Sequence, residues 1–450
     1  MKQVLVLGAG KSAPYLIAKL LDMAGECDWF VTVGDLDLEM ARSRVNGHSR
    51  GEAVRFDVND AQLRDRQIGS SDLVVNMMAP RFLELIAHDC VRHGKHMISV
   101  SYRNQALREL DADALREGVL LLCELGLDPG IDHMSAMSLI HRLKADGGRV
   151  TGFCSYGSGI PAPDNPRDYP LRYVITWNPR NVVMAGEGGA QYMEDGQIKI
   201  VPYHHVFHHT WRVEVPGVGA LEAYPNRDSL SYMQSFGLEH VRTMIRGTLR
   251  WPGWSETWAQ IVKLGLPNEG ARIPALGARS PREVVEMFLP LSVSGPRIET
   301  RIARFLAISP TGRIIENMRW LGLFDETPSG CKGDTAAALL QELLERKLPL
   351  APDIKDMVLL LHELEVDYPD QDRPAERVTS TLVAKGEPGG FTAMSKTVGL
   401  PAALAVRLVL CEDLHLRGSQ IPTHPSIYTP ILAGLASEGI GFDERVMPLA

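Results

Sequence analysis

The chain has 450 residues, 45% hydrophobic and 23% charged, with a formal net charge of -8 at pH 7. A chain of that length outgrows a single core and divides into two or three domains, and its ordinary composition gives no reason to expect disorder. The negative charge is spread along the sequence, which argues against a nucleic-acid groove and for small-molecule chemistry.

The opening stretch, MKQVLVLGAG, carries one lysine and a short apolar run before its glycines. It reads as neither a signal peptide nor a membrane span, and no other segment comes closer to spanning length. Val4 to Leu7 is β-prone, Gly8-Ala9-Gly10-Lys11-Ser12-Ala13 follows, and Leu16, Ile17, Leu20 and Leu21 then recur at helical spacing. The expected order is strand, glycine turn, helix. Further β-prone runs lie at Phe30-Val33, Val54-Phe56, Leu73-Val75, Met97-Val100 and Val119-Leu122, with helical segments between them. That alternation predicts a parallel sheet covered on both faces, and six such strands suffice for a dinucleotide-binding fold.

After Gly130 a helix is expected through Met134, Met137, Ile140 and Leu143, capped by Asp132. Turn-rich sequence with β-prone runs such as Tyr173 to Trp177 predicts a second, α+β domain. From about Ser231 to Arg346 the chain reads mostly as helices, a helical insertion. Met357 to Leu361 and Val378 to Val383 form a plausible hairpin that rejoins the second domain's sheet. The fold class is therefore α/β: a Rossmann-type doubly wound parallel sheet, an α+β substrate domain and a helical insertion domain. The expected boundaries are 1–129 joined by 391–450, then 130–230 joined by 347–390, and 231–346. There is no internal repeat and no low-complexity stretch.

The GAGKSA turn fits the GxGxxA dinucleotide fingerprint. One glycine (Gly8) makes the turn, one (Gly10) lets the pyrophosphate approach, and Ala13 allows close helix packing. Lys11 and Ser12 lie within the same turn, and the pyrophosphate is expected on the helix amino end. The bland alternative is a tight turn without a ligand. Asp35 closes the second strand where an acid commonly accepts hydrogen bonds from the adenosine ribose, and a carboxylate there repels a 2′-phosphate. This favours NAD over NADP, although Arg42 and Arg44 can swing toward a phosphate, and a helix-starting aspartate is the lesser alternative. Asp57 and Val58 either border the adenine or start a helix. Asn76, Met77 and Met78 end the fourth strand at the cofactor edge, where core methionines are the alternative.

Ser101 and Tyr102 follow the fifth strand and Asp128 follows the sixth, so these residues open onto the crevice at the strands' carboxyl ends. By local rules alone Asp128 is an ordinary turn aspartate. The histidines at 204, 205, 208 and 209 invite a metal, but adjacent histidines on a strand point to opposite faces and no acidic second shell lies nearby, so no metal is expected. Six widely spaced cysteines fit reduced thiols in a cytoplasm.

Several segments together resemble the saccharopine reductase family, the glutamate-forming saccharopine dehydrogenases. They are Gly126-Leu127-Asp128-Pro129-Gly130-Ile131-Asp132-His133-Met134, Ala223 to Ser229, Arg246 to Arg250, Ser155-Tyr156 before Gly159 to Pro163, Thr176 to Asn181, Trp320 to Phe324 and Gly389 to Met394. The resemblance spans nearly the whole chain. It implies an NAD(P)-dependent oxidoreductase of lysine metabolism, acting on a CH–NH donor. Such an enzyme interconverts saccharopine with L-glutamate and 2-aminoadipate 6-semialdehyde, and works as a homodimer without nucleic-acid or membrane partners. It further implies that Ser101, Tyr102, Asp128, Arg227 and Thr248 line the substrate site, with Tyr102 and Asp128 as the proton shuttle. Arg227 also stands on physical grounds, because a planar guanidinium grips a carboxylate bidentately and saccharopine carries three.

One departure is visible: the family usually has a cysteine after the tyrosine of its SYCGG-like segment, whereas Gly157 stands here and Cys154 lies on the other side of Tyr156. The competing readings are a related imine-reducing enzyme such as a carboxynorspermidine dehydrogenase, whose polycationic substrate would call for acids in place of arginines, and a catalytically impaired cofactor-binding homologue.

Overall fold

In a computed structural model describing residues 1–166, 169–412 and 414–449, strand and helix alternate from the amino terminus. The order is β1 (Lys2–Leu7), α1 (Pro14–Met23), β2 (Trp29–Asp35), α2 (Leu38–Val45), β3 (Gly51–Arg55), α3 (Ala61–Gly69), β4 (Leu73–Asn76), α4 (Leu83–Arg92), β5 (His96–Ser99), α5 (Gln105–Glu109), α6 (Asp111–Arg116) and β6 (Leu120–Leu122). A seventh strand, Gly418–Gln420, pairs in parallel with β6 and extends the six that the apolar runs predict. Three residues with one small glycine are too short to stand out as an apolar run.

The strand order is Gly418–Gln420, β6, β5, β4, β1, β2, β3. The chain therefore moves outward from β1 through β2 to β3 and then returns to β1's other side to lay down β4. That reversal opens a crevice at the carboxyl ends of β1 and β4, where this architecture binds ligands. Val4 to Leu7 and all of β4 are buried, as strands covered on both faces must be.

The chain divides into two compact units. The first gathers 1–150, 235–238 and 357–450. Besides the parallel sheet it holds the predicted hairpin as Asp356–Asp367 paired antiparallel with Glu376–Lys385, and Asp443–Pro448 runs beside the latter. One expectation needs correction here. Helix Ala393–Cys411 has 19 residues and is long and apolar enough to cross a membrane by length and composition. Most of it is buried in this unit against α1, where Ser395 Oγ accepts the Tyr15 N–H at 3.0 Å. Its apolar character serves a core.

Beneath the sheet, Arg64 and Asp89 form a buried ion pair from α3 to α4, and Arg64 also donates to the Val58 carbonyl at 2.6 Å. Asp89→Ala strands this guanidinium and is expected to cost about 2 kcal/mol of unfolding free energy, measured by urea denaturation. His96, at the start of β5, accepts the Leu120 N–H through Nδ1 at 3.1 Å. Burial, with Arg417 and Lys2 nearby, holds its pKa below the ordinary imidazole value. The unfolded chain then takes up this proton first. Stability from His96 is complete above about pH 6.5 and declines as the pH falls toward the folded pKa. A His96→Asn variant should show a flatter dependence of Tm on pH between about 7 and 5.

The second unit gathers 151–234 and 239–356. Its mixed sheet pairs Trp211–Val215 with Gly219–Pro225 and the latter with Thr243–Arg250, all antiparallel, and Thr243–Arg250 lies parallel to Arg149–Pro161. Strand Thr243–Arg250 falls inside the span expected to be helical, and helices dominate only from Trp254 to Lys347. Its arginines explain the misreading: Arg246 and Arg250 are charged yet only 3% and 5% exposed. Tyr173 to Trp177 also departs from expectation, making an isolated bridge at Ile175 to Pro349 in place of a strand. Its aromatic residues pack instead of pairing: Tyr173 lies 6.1 Å from the Trp254 ring, and the Arg250 guanidinium sits over both rings.

Candidate active site

The glycine turn lies where the sequence places it. Gly8 has φ +102°, and a Cβ there would meet the Met77 backbone at 3.1 Å, so β1 and β4 approach too closely for a side chain. A Cβ on Gly10 would meet nothing within 4 Å, leaving the backbone open to a ligand. Ala13 is fully buried against the fold, and α1 begins without a side-chain cap. The first turn of α1 has fewer donors than expected, since Pro14 has no N–H and that of Tyr15 goes to Ser395. An anion here would lean on the Gly10-Lys11-Ser12 loop.

Asp35 reaches across from β2. Its Oδ2 accepts the Ala9 N–H at 2.7 Å and its Oδ1 the Asp37 N–H at 2.9 Å. Asn76, fully buried at the end of β4, accepts the Met78 N–H, and its Nδ2 donor has no hydrogen-bond partner among the described residues. An open glycine face, a carboxylate at the turn and an orphaned amide donor fit a dinucleotide. Met77 and Met78 are half-buried, and Met78 packs against the core. Val58 is 4% exposed within that core, while exposed Asp57 accepts from the Asn59 N–H at 2.9 Å in a turn, and the helix start expected of it falls instead to Asp60, whose Oδ1 accepts the Gln62 and Leu63 N–H groups. The structure thus brings Gly8, Gly10, Lys11, Ser12, Ala13, Asp35 and Met77 together, and turns the Val58 side chain inward.

Behind the carboxyl ends of β5 and β6, Tyr102 Oη donates to Asp128 Oδ1 at 2.9 Å. Ser101 is buried beside them, and its carbonyl accepts the Glu124 N–H. The turn holding Asp128 is braced by its own backbone: the Gly126 N–H donates to the Pro129 carbonyl and the Ile131 N–H to that of Gly126. Gly130, at φ +149°, admits no substitute, because a Cβ would lie 2.1 Å from the Gly126 carbonyl oxygen.

A group that pattern reading overlooked supports this turn. Glu124 is 3% exposed and holds φ +63°, a conformation costing roughly 1 kcal/mol for a residue with a Cβ. One of its oxygens accepts the Arg103 N–H at 2.9 Å and the other pairs with His133 Nε2 at 2.7 Å. His133 Nδ1 in turn lies 3.2 Å from Asp132. Asp132 is not the helix cap expected of it. Helix α7 (Ile131–Ala145) is preceded by Gly130, whose N–H donates to Asp132 Oδ1 at 2.6 Å. The carboxylate therefore ties the turn from inside the helix. The signal for this group was the acid and histidine flanking LDPG, which single-residue capping rules do not weigh. Neighbouring Cys123 is held protonated by burial, reinforced by the Glu124 charge, so it offers no reactive thiolate.

In the second unit, Arg227 is exposed at φ +54° on a loop whose backbone is fixed by bonds from Gln191 N–H to the Arg227 carbonyl and from Asn226 N–H to that of Arg246. Thr248 is half-buried and lies opposite Tyr224 on one side and Gly157 on the other. Its hydroxyl bonds to the Tyr224 phenol, whose pKa burial raises. The histidine cluster is a 3-10 helix, Tyr203–His208, and not the strand assumed for it. His209 pairs with the Tyr192 hydroxyl at 2.9 Å, and no group of three metal-ligating side chains occurs among the described residues.

Comparisons with known proteins agree with this geometry. Residues 4–122 match the family model described as saccharopine dehydrogenase NADP binding domain, and residues 126–440 match saccharopine dehydrogenase C-terminal domain. The chain is 31% identical to the saccharopine dehydrogenase [NADP(+), L-glutamate-forming] of Pyricularia oryzae and 31% identical to that of Saccharomyces cerevisiae, covering 99% of each chain in both cases. The apo structure of the L-Glu-forming saccharopine dehydrogenase from Saccharomyces cerevisiae superposes with a TM-score of 0.85 at 29% identity, over 99% of this chain and 100% of that one. A homospermidine synthase from Legionella pneumophila, solved in complex with NAD, shares the fold alone, with a TM-score of 0.55 at 13% identity over 100% of this chain and 91% of that one. With a glycine turn, an acid-tipped second strand and a tyrosine–aspartate pair on the same parallel sheet, and with both family models matched, the chain belongs to the saccharopine dehydrogenase family.

Proposed function

We propose that the chain is an NAD(P)-dependent, L-glutamate-forming saccharopine dehydrogenase of lysine metabolism. The observation that carries the reading is the Tyr102–Asp128 hydrogen bond, set on the carboxyl ends of β5 and β6 in the unit that holds the glycine turn. The bound nicotinamide would supply the acceptor for a hydride. Gly8, Gly10 and the Lys11-Ser12-Ala13 loop would hold its pyrophosphate, with Asp35 at the ribose and Asn76 and Met77 at the β4 edge.

The protein's own groups handle protons and orientation. The substrate's secondary amine must lose a proton before its lone pair can form the C=N bond, and Asp128 is the acceptor. Its carboxylate is aimed by Tyr102 Oη. As hydride leaves the carbon on the semialdehyde side, the imine forms. Water adds to that carbon, and the carbinolamine C–N bond breaks with a proton delivered to nitrogen by the protonated Asp128 or through Tyr102. The products are L-glutamate and 2-aminoadipate 6-semialdehyde. Ser101, Arg227 and Thr248 would bind the carboxylates of this amino-acid substrate, Arg227 bidentately.

This reading takes 1–129 with 391–450 as the dinucleotide domain, 130–230 with 347–390 as the substrate and dimerisation domain and 231–346 as the helical domain, in a cytoplasmic homodimer. Purified protein mixed with saccharopine and NAD or NADP should produce reduced nicotinamide, followed by its absorbance. Absence of turnover with both, and turnover with carboxynorspermidine, would replace the assignment with the related imine-reducing activity.

A further inference from the structure

We infer that this chain selects NAD(H) against NADP(H), and that Asp35 is the residue that enforces the choice. The inference rests on the dinucleotide reading above and departs from relatives whose names specify NADP(+). The two coenzymes differ only at the adenosine ribose, where one carries a 2′-hydroxyl and the other a 2′-phosphate of about two negative charges. In this architecture that ribose lies at the end of the second strand.

Three features of the site oppose the phosphate. Asp35 cannot easily swing aside, because its two oxygens are bound to separate backbone segments, Ala9 N–H in the glycine turn and Asp37 N–H before α2. A carboxylate has about four lone-pair sites, so it still has room to accept ribose hydroxyls. The start of α2, which would otherwise offer N–H groups to a phosphate, is already served by carboxylates: Asp37 Oδ1 accepts the Met40 N–H at 3.1 Å, and Glu39 sits in the first turn.

The two arginines of α2 are partly engaged by other groups. Arg42 pairs with Glu39 at 2.6 Å, and Arg44 Nε donates to the Ala9 carbonyl at 3.3 Å, against the turn itself. A 2′-phosphate would therefore meet Asp35, Asp37 and Glu39, with the remaining donors of Arg44 and Arg42 and the exposed Lys11 of the turn in its favour. Repulsion by an adjacent fixed carboxylate outweighs these partly engaged or exposed cations.

The test is a direct binding titration, by energy transfer from tryptophan to the reduced nicotinamide at physiological ionic strength. NADH should bind about 10- to 100-fold more tightly than NADPH. Asp35→Ser should shrink that ratio to within about threefold, chiefly by strengthening NADPH. Because this variant also loses backbone contacts, the wild-type protein is probed in parallel with fragments. 5′-AMP should displace NADH at lower concentration than adenosine 2′,5′-bisphosphate. Tighter NADPH binding, or a preference for the bisphosphate, would overturn the selectivity. An undiminished NADH preference in folded Asp35→Ser would remove Asp35 from the role. Failure of both coenzymes to bind would refute the dinucleotide reading itself.

Discussion

Asp128→Asn should lower turnover about 10²- to 10⁴-fold while leaving the saccharopine KM within a few-fold of wild type. Asparagine preserves the shape of the side chain and an oxygen to accept from Tyr102 Oη, now 2.9 Å away, so the turn and its neighbour remain in place. What disappears is the group that takes the amine proton before hydride can leave. A positioned acid or base contributes an effect of that size, whereas a turn aspartate of purely local purpose would leave kcat unchanged and change only stability. Tyr102→Phe is the companion: it removes the donor that aims Asp128 and should lower kcat with little change in the saccharopine KM, a split that a purely structural contact would not produce. Steady-state kinetics across pH on both variants decides the matter, and full turnover by Asp128→Asn would remove it from the proton path.

Arg227→Ala should reduce kcat/KM about 30- to 1,000-fold, almost entirely through a higher KM for saccharopine. The loop's backbone is held by the peptide groups of Gln191 and Asn226 and by the Asp228 carboxylate, which accepts from Leu230 N–H at 2.9 Å. Circular dichroism and thermal unfolding of the alanine variant, run beside the kinetics, separate lost binding from lost fold. Arg227→Lys should recover only part of the loss, because an ammonium restores charge without the planar fork that matches a carboxylate. An unchanged KM in the alanine variant would make Arg227 a surface residue and shift the anion-binding role to other groups.

Much of this was legible in the residues themselves. Runs such as Val4-Leu5-Val6-Leu7 are apolar at every position because both faces of a parallel strand are covered, and the following glycines mark the turn where backbone meets ligand. The place of Asp35 beside that turn was legible for the same reason, as it depends only on ending a strand. Local rules failed where distant contacts decide. Arg246 and Arg250 read as exposed helix but sit buried in a strand, stacked on aromatic rings from other segments. Ala393–Cys411 looked too ordinary to weigh as a span, yet it is an apolar helix buried against α1. Asp132 followed the capping rule in sequence but bonds backward to Gly130, because the turn ahead of it leaves that N–H pointing into the helix's first turn. Glu124 had only a weak signature, an acid that with His133 flanks the LDPG turn, which no single-residue rule weighs. Its importance comes from bridging the Arg103 backbone and His133, which are 21 and 9 residues away in the chain.

The central claim is that oxidation occurs at the carbon whose imine releases glutamate. Product analysis by mass spectrometry after turnover of saccharopine, with reduced nicotinamide counted alongside, tests it most directly. One L-glutamate and one 2-aminoadipate 6-semialdehyde should appear per nicotinamide reduced. Lysine and 2-oxoglutarate in their place would show hydride leaving from the other carbon of the same amine, and would contradict the assignment.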